Sequence, residues 1–463
     1  MTQVEVAVKP GGRKWWVLAV VCCAVFMMNL DITIVNIALP DIMKGFNVDL
    51  SAIEWVINAY VLTFAVLLVT MGKVGDLRGR KLLFMCGLAV FTIASLTCGL
   101  APNEHVLVAS RAVQAVGGAA MMPATLSILN VAFGNSGRGM ALGIWGAVAG
   151  AAAALGPIIG GALVQAHSWR LIFLVNVPVG IVAFIAAAFI IAESTDPGAK
   201  RRLDIPGVLA ISVALFGITF GLVEGAKYGW TSGLILALFA VGAVGLAVFV
   251  LIERRAQAPI VRLEFFRNRT FSAGNIVGAL LMFGLIGILF TLVMFLQNNL
   301  GYSAIKTGLV LLPMPAVTMI VAPISGRLSD RIGSRWLLFF GMLLTALGIY
   351  LMAGISSTTT WQQLMLPLPI AGLGMGLSLA PMTSAVMASV PVEQSGAAAG
   401  ILSTMRQIGA SLGISVLGAI LQSSGDIDLA LMVAMYFCLA GAAAALLISG
   451  SVSKGSVTPA VGA

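Results

Sequence analysis

The feature that most restricts this sequence is a series of apolar runs about 20 residues or longer, separated by short polar turns. A run of that length crosses the hydrocarbon core of a bilayer as a helix. Fourteen runs are read: six between about 15 and 192, two between about 206 and 252, and six between about 271 and 450. In lipid, only helices and closed barrels satisfy their own backbone groups, and the period-two alternation of a barrel strand is absent. The chain is therefore read as an all-α polytopic membrane protein with 14 transmembrane helices. Composition agrees, with 9% charged residues against about 25% in a soluble domain.

The net charge of +9 would suggest nucleic acid in a soluble protein, but its distribution points elsewhere. Of the 26 Lys and Arg, only Lys44, Arg170, Lys227 and Lys306 fall in loops on one side, and Arg111 and Arg406 fall inside runs. The rest gather on the other side. That asymmetry follows the positive-inside rule and predicts cytoplasmic termini, a cell (inner or plasma) membrane location and no nucleic-acid partner. The first run is too long for a signal peptide and lacks a small-residue cleavage site, so it is expected to stay as a helix. The five cysteines are odd in number and lack metal-ligand spacing, so they read as small packing residues. His105 and His167 fall in short loops, which leaves carboxylates for any proton relay inside the membrane. No Walker A loop, metal or haem pattern, or nucleophile with a base partner is present. Neither enzyme chemistry nor direct ATP drive is expected, and no cofactor or metal.

Polar residues inside the runs carry the functional signal. Met27-Met-Asn-Leu-Asp-Ile-Thr-Ile-Val-Asn-Ile-Ala-Leu-Pro40 places Asp31, Asn29 and Asn36 within a run from Trp15 to Leu39. At 1.5 Å per residue, Asp31 lies roughly 24 Å from Trp15, past the midplane. An ionised carboxylate there costs at least about 2.5 kcal/mol, so Asp31 should face a cavity or a partner. Two readings stand: a proton or cation site, or an acid that joins two helices. A side chain pointing into lipid, or walled off from any central void, would end the first. Arg111, in Arg111-Ala-Val-Gln114, is the second buried charge, and a guanidinium keeps its proton, so it needs partners. The sequence leaves open whether Asp31 and Arg111 meet. Arg406 in the thirteenth run is read as balancing a carboxylate. Glu54, Trp55, Asn58 and Tyr60 near the outer end of the second run, and Glu224 closing the seventh, are read as interfacial.

An internal repeat organises the chain. Gly72-Lys-Val-Gly-Asp-Leu-Arg-Gly-Arg-Lys81 after the second run resembles Gly326-Arg-Leu-Ser-Asp-Arg-Ile-Gly-Ser-Arg335 after the tenth. Pro123 and Pro381, and Ser136-Gly137 and Ser395-Gly396, recur at nearly the same offset. These matches predict two six-helix bundles in parallel orientation, residues 1–199 and 269–463, with two helices and a linker inserted at 200–268.

Together these residues resemble the major facilitator superfamily, in its branch of fourteen-helix drug:proton antiporters. The resemblance runs from about Trp15 to the last run, and the Asp31 stretch combined with the two Gly-x-x-x-Asp-x-x-Gly loops is its most specific part. It implies that Gly72, Asp76 and Arg80, with Asp330 and Arg331, gate the cytoplasmic ends of the two halves. The expected partner of Asp76 is the stretch Gln394-Ser-Gly396. It implies proton coupling for Asp31 and Arg111. Gly150-Ala-Ala-Ala-Ala-Leu-Gly-Pro-Ile-Ile-Gly-Gly161 resembles the signature of antiporters, in which Gly156, Pro157, Gly160 and Gly161 form the core. Trp169-Arg170 and Asn176-Val-Pro178 extend the likeness. Leu77, Ala152 and Ser334 depart from it, and the gate is expected to be asymmetric in charge.

The expected activity is export of amphipathic, lipophilic compounds in exchange for protons by alternating access, by a monomer. Candidate substrate contacts are Asn36, Trp55, Asn58, Gln114, Phe283, Phe290 and Met294, because amide, aromatic and thioether groups suit an adaptable pocket. A carboxylate in an apolar cavity would favour cations. A dedicated exporter of one metabolite and a passive facilitator are the alternatives.

Overall fold

The computed structural model describes residues 12–48, 50–134, 137–166, 168–195, 204–256, 259–354 and 360–449. Side chains of some residues within helices, among them Asn36, Pro157 and Asn298, lie outside that description. Helices of fifteen residues or more are numbered in chain order. They are α1 (Arg13–Phe46), α2 (Leu50–Arg78), α3 (Arg80–Gly99), α4 (Glu104–Phe133), α5 (Arg138–Ala166), α6 (Asn176–Ile190), α7 (Ile205–Tyr228) and α8 (Gly233–Glu253). After a short 3-10 turn come α9 (Arg269–Met294), α10 (Pro313–Ile332), α11 (Arg335–Tyr350), α12 (Pro367–Ala388), α13 (Ser395–Ser424) and α14 (Ile427–Ala445). No strand occurs among the described residues.

Local chemistry sets many of the boundaries. The side chains of Asn103, Asp204, Ser232, Asn268 and Asp426 accept first-turn backbone N–H groups at the starts of α4, α7, α8, α9 and α14. Gly79 (φ 118°) breaks α2 from α3, and Gly333 (φ 85°) breaks α10 from α11. Both are the last glycine of the repeated loop, and both need a conformation that a side chain would strain.

Twelve helical segments among the described residues are long and apolar enough to cross a bilayer. The expected count of fourteen is not reached on that measure. The eleventh run yields only the sixteen residues of α11, because the chain passes into a turn after Tyr350. Helix α5 is 29 residues long but is not among the twelve. The outer surface suits lipid: Phe189 is 81% exposed, Val182 65% and Val244 62%. Water-facing surfaces rarely carry contiguous apolar area on that scale.

Across the molecule α2 packs along α13, and α5 packs along α10. These two crossings join the helices before the inserted segment to those after it. The inserted α7 pairs with α8 and also lies against both α2 and α13.

Candidate functional site

Asp31 sits on α1, fully buried, within a polar cluster supplied by five helices. Its Oδ2 accepts a hydrogen bond from Arg111 Nη1 on α4. Its Oδ1 accepts from Gln114 Nε2 on α4 at 3.0 Å and from Asn176 Nδ2 on α6 at 2.9 Å. The amides of Gln114 and Asn176 both also donate to Ser95 Oγ on α3, at 3.3 and 3.1 Å, while Ser95 donates to the Phe173 carbonyl at 2.9 Å. Arg111 is held further by Gln114 Oε1 at 2.7 Å and, through Nε, by the Val56 carbonyl of α2 at 3.2 Å. Its guanidinium lies over the Tyr60 ring at 4.3 Å and the Phe173 ring at 5.7 Å.

Asp31 and Arg111 therefore meet. The partner that a buried carboxylate requires is a guanidinium reinforced by two amides, which is the geometry in which a buried pair recovers its desolvation cost. Removing one member of such a pair typically costs about 3–5 kcal/mol. Arg111, by contrast, keeps a carbonyl, an amide oxygen and two aromatic faces if Asp31 loses its charge. The Tyr60 hydroxyl beside it is buried and has no hydrogen-bond partner.

Helix α5 presses on α1 close to this acid. Any Cβ at Gly156 would collide with Thr33 Oγ1, and one at Gly160 would come within 2.7 Å of Ile34 Cγ1. Gly161 is also buried. The small residues thus let α5 approach α1 two and three positions beyond Asp31, while the side chain of Pro157 is outside the described set.

A second polar site lies at the basic end of the molecule. Asp76, at the end of α2, accepts from the backbone N–H groups of Gly396 at 2.9 Å and Ala397 at 2.8 Å. These belong to the first turn of α13, where unpaired N–H groups and the helix dipole favour a carboxylate. Arg80 Nη2 donates to Asp76 Oδ1 at 2.9 Å and to the carbonyls of Val392 and Glu393 at 2.8 Å each. The repeat behaves alike: Asp330, at the end of α10, accepts from Gly139 N–H in the first turn of α5 at 3.1 Å through each oxygen. Arg331 beside it is exposed. At the α2–α13 crossing a Cβ on Gly72 would strike the Gly396 carbonyl, and at the α5–α10 crossing one on Gly139 would strike that of Gly326. Ser127 of α4 and Ser395 of α13 share a hydrogen bond of 2.6 Å at the same end. The stretch 394–396 expected to receive Asp76 is where Asp76 sits.

The candidate substrate contacts do not converge in this state. Gln114 belongs to the Asp31 cluster. Phe283 is buried and stacks on Phe437 of α14 at 3.9 Å, so its face is occupied by packing. Asn58 donates to Glu224 of α7 at 2.9 Å, and Trp55 lies 6.1 Å from Phe220 of α7. Glu54 pairs with Lys227 of the same helix at 3.6 Å. Glu224, expected at the interface with water, is buried instead, because α7 docks against α2. Phe290 and Met294 are half-buried on α9, and Asn36 is outside the described side chains. Arg406 has no carboxylate within ion-pair distance among the described residues.

Two members of the Asp31 cluster were missed as site residues. Asn176 had a signal, an amide inside an apolar run, but it was read only as part of a family likeness. Ser95 had none, because a serine in a membrane helix is commonly satisfied by its own backbone.

The Major Facilitator Superfamily matches residues 21–414, and a second match covers 275–461. The chain is 36% identical over 423 residues to the tetracenomycin C resistance and export protein of Streptomyces glaucescens, covering 90% of this chain and 78% of that one. It is 37% identical over 397 residues to the multidrug resistance protein Stp of Mycobacterium tuberculosis, covering 86% and 74%. Among solved structures, the human organic anion transporter MFSD10 (TETRAN) aligns with a TM-score of 0.71 over 94% of this chain and 100% of that one, at 15% identity. That last likeness is one of fold.

Proposed function

The chain belongs to the major facilitator superfamily, and from that premise we propose that it exports small amphipathic compounds across the cell membrane in exchange for protons. It is a membrane transporter and not an enzyme. The relatives' names, which specify export of one antibiotic and resistance to several drugs, support the export direction. Both termini and the two Asp76- and Asp330-bearing loops are placed in the cytoplasm on the charge asymmetry of the sequence. The clamps at that end then close the cytoplasmic side, leaving the two halves free to part on the outer side. Alternating access follows when both clamps release and the halves rock the other way.

The enclosure of Asp31 ends the reading of it as a single acid open to cargo, and the coupling step is carried instead by its ion pair with Arg111. Coupling at an enclosed pair works by exchange of partners. A proton on Asp31 cancels the ion pair, Arg111 falls back on Val56, Gln114 and Tyr60, and the hold of α1 on α4 and α6 weakens. One charge moving across 100 mV supplies about 2.3 kcal/mol. That sustains roughly a 50-fold gradient of cargo. The expected preference for cations loses its basis in this state, because the carboxylate that would attract them is already neutralised.

Complete enclosure favours a second reading, in which the pair is only structural. Proteoliposomes with an imposed proton gradient separate the two. Gradient-driven transport by the natural chain should be lost in Asp31→Asn while the protein stays folded. Substrate-induced proton movement that survives Asp31→Asn would make the pair structural, and transport indifferent to the gradient would leave a passive facilitator.

A further inference from the structure

Arg406 lies on α13, roughly three turns in from Ser395. Its stem passes Gly278 of α9, where a Cβ would come 3.6 Å from Arg406 Cγ. Its guanidinium stands 5.5 Å from the ring of Trp145 on α5. Because α5 precedes the inserted helices and α13 follows them, Arg406 sits where the two halves face each other. The indole is almost fully buried and its Nε1 donates to Thr125 Oγ1 at 3.2 Å, so what it offers Arg406 is its face.

This cation is under-satisfied. Among the described residues Arg406 Nη1 is buried and has no hydrogen-bond partner. No described carboxylate forms an ion pair with it, whereas Arg80 and Arg111 each have one. One turn earlier on the same helix, the hydroxyls of Ser403 and Thr404 are also buried without partners. A charge within a membrane helix is costly to bury, and a cation–π contact returns only part of that cost. Arg406 is thus left with donors to spare for another partner during the cycle. Among the described residues the four buried acids are engaged elsewhere, Asp31 with Arg111, Asp76 with Arg80, Glu224 with Asn58 and Glu253 with Ile260, and Asp330 caps Gly139. The side chain as a whole is half-buried, while its Nη1 is shut away from the surface.

We infer that Arg406 and Trp145 form the specificity-determining part of the cargo site, and that they recognise an anionic group, a carboxylate or enolate, carried on a flat apolar body. The guanidinium swings onto the anion as a fork, and the flat body takes the place on the indole face that the guanidinium gives up. The inference rests on the exporter reading, and it replaces the expected cation preference with an anion preference.

A matched pair of probes tests it: 2-naphthoate and (naphthalen-2-ylmethyl)trimethylammonium, titrated into the purified full-length chain in nanodiscs. The natural chain should bind the carboxylate at least about tenfold more tightly than the ammonium, a difference of about 1.4 kcal/mol. Arg406→Gln should remove that preference and leave ammonium binding equal or better. Arg406→Lys, which keeps the charge but loses the fork, should fall between. Trp145→Leu should weaken both probes alike. Equal binding of the two probes by the natural chain, or a carboxylate preference that persists in Arg406→Gln, overturns the inference. Should Arg406→Gln not fold, the preference of the natural chain and its reduction in Arg406→Lys decide the matter. Gradient-driven transport in proteoliposomes is read separately. Arg406-dependent binding without transport defeats the exporter reading alone, and transport without Arg406-dependent binding defeats this inference alone.

Discussion

The Asp76 and Asp330 contacts, proposed above as clamps, share one geometry, and their difference shows how a repeated motif can change its charges and keep its helix cap. In both, a carboxylate at the end of one helix caps the first turn of a helix from the other half. In both, glycines allow the backbones to touch. The compensating cation differs. Arg80 comes from the same loop as Asp76, is almost fully buried, and reaches across to two carbonyls of the opposite half. At the second clamp Ser334 occupies the corresponding position, and the nearby cation is Arg138, the first residue of α5 on the opposite half. Arg138 spends a donor on Asn130 Oδ1 at 3.2 Å and makes no ion pair with Asp330. The first clamp is a buried charge network; the second is a helix cap with a cation at its edge.

The comparison breaks first at the glycines, where the two clamps should behave alike. Gly72→Ala and Gly139→Ala each place a methyl group against a backbone oxygen that cannot turn away. Overpacking costs about 1–3 kcal/mol or more. Each variant should lose most transport activity, and a cysteine at Ser395, buried in this state, should become rapidly alkylated by a membrane-impermeant maleimide. If only Gly72→Ala has this effect, the α5–α10 crossing is not a second clamp.

The carboxylates should differ. Asp76→Ala leaves Arg80 buried without its counter-charge, which costs about 3–5 kcal/mol. Asp330→Ala strips the cap from the backbone N–H groups around the start of α5, Gly139 foremost, at about 1–3 kcal/mol. Alkylation of the Ser395 cysteine should therefore accelerate far more in Asp76→Ala than in Asp330→Ala, and equal acceleration would remove the distinction between network and cap. The smallest effect is expected from Ser334→Arg, which restores the symmetric guanidinium. Near the surface it should strengthen the second clamp by about 1 kcal/mol at most. Slower alkylation and slower turnover would show it.

The legible parts of this protein were those whose signal is local in the chain. Apolar runs marked the helices, and Gly79 and Gly333 marked the breaks between them. The repeated loops pointed to both clamps, and the landing site of Asp76 could be named. The boundaries of less regular segments were less legible, as the short α11 shows. Within the site, Asp31 and Arg111 stood out because a charge in an apolar run is conspicuous. Ser95 and Asn176 did not, since their importance lies in which atoms they meet. Phe283 looked like a pocket residue by type and spacing, yet it stacks on Phe437, and nothing near it in sequence indicates that neighbour.

Sequence alone pointed to a chain of membrane-spanning helices and to a repeated acidic loop, at Asp76 and again at Asp330. Hydropathy, turn chemistry and repetition act over a few residues at a time, so they can be read along a line. Only the tertiary structure decided that Asp31 is closed on Arg111, that α7 covers the junction of α2 and α13, and that Arg406 has Trp145 for company and no acid among the described residues. Those outcomes depend on side chains brought together from distant helices, where desolvation makes the identity of a neighbour count for several kcal/mol.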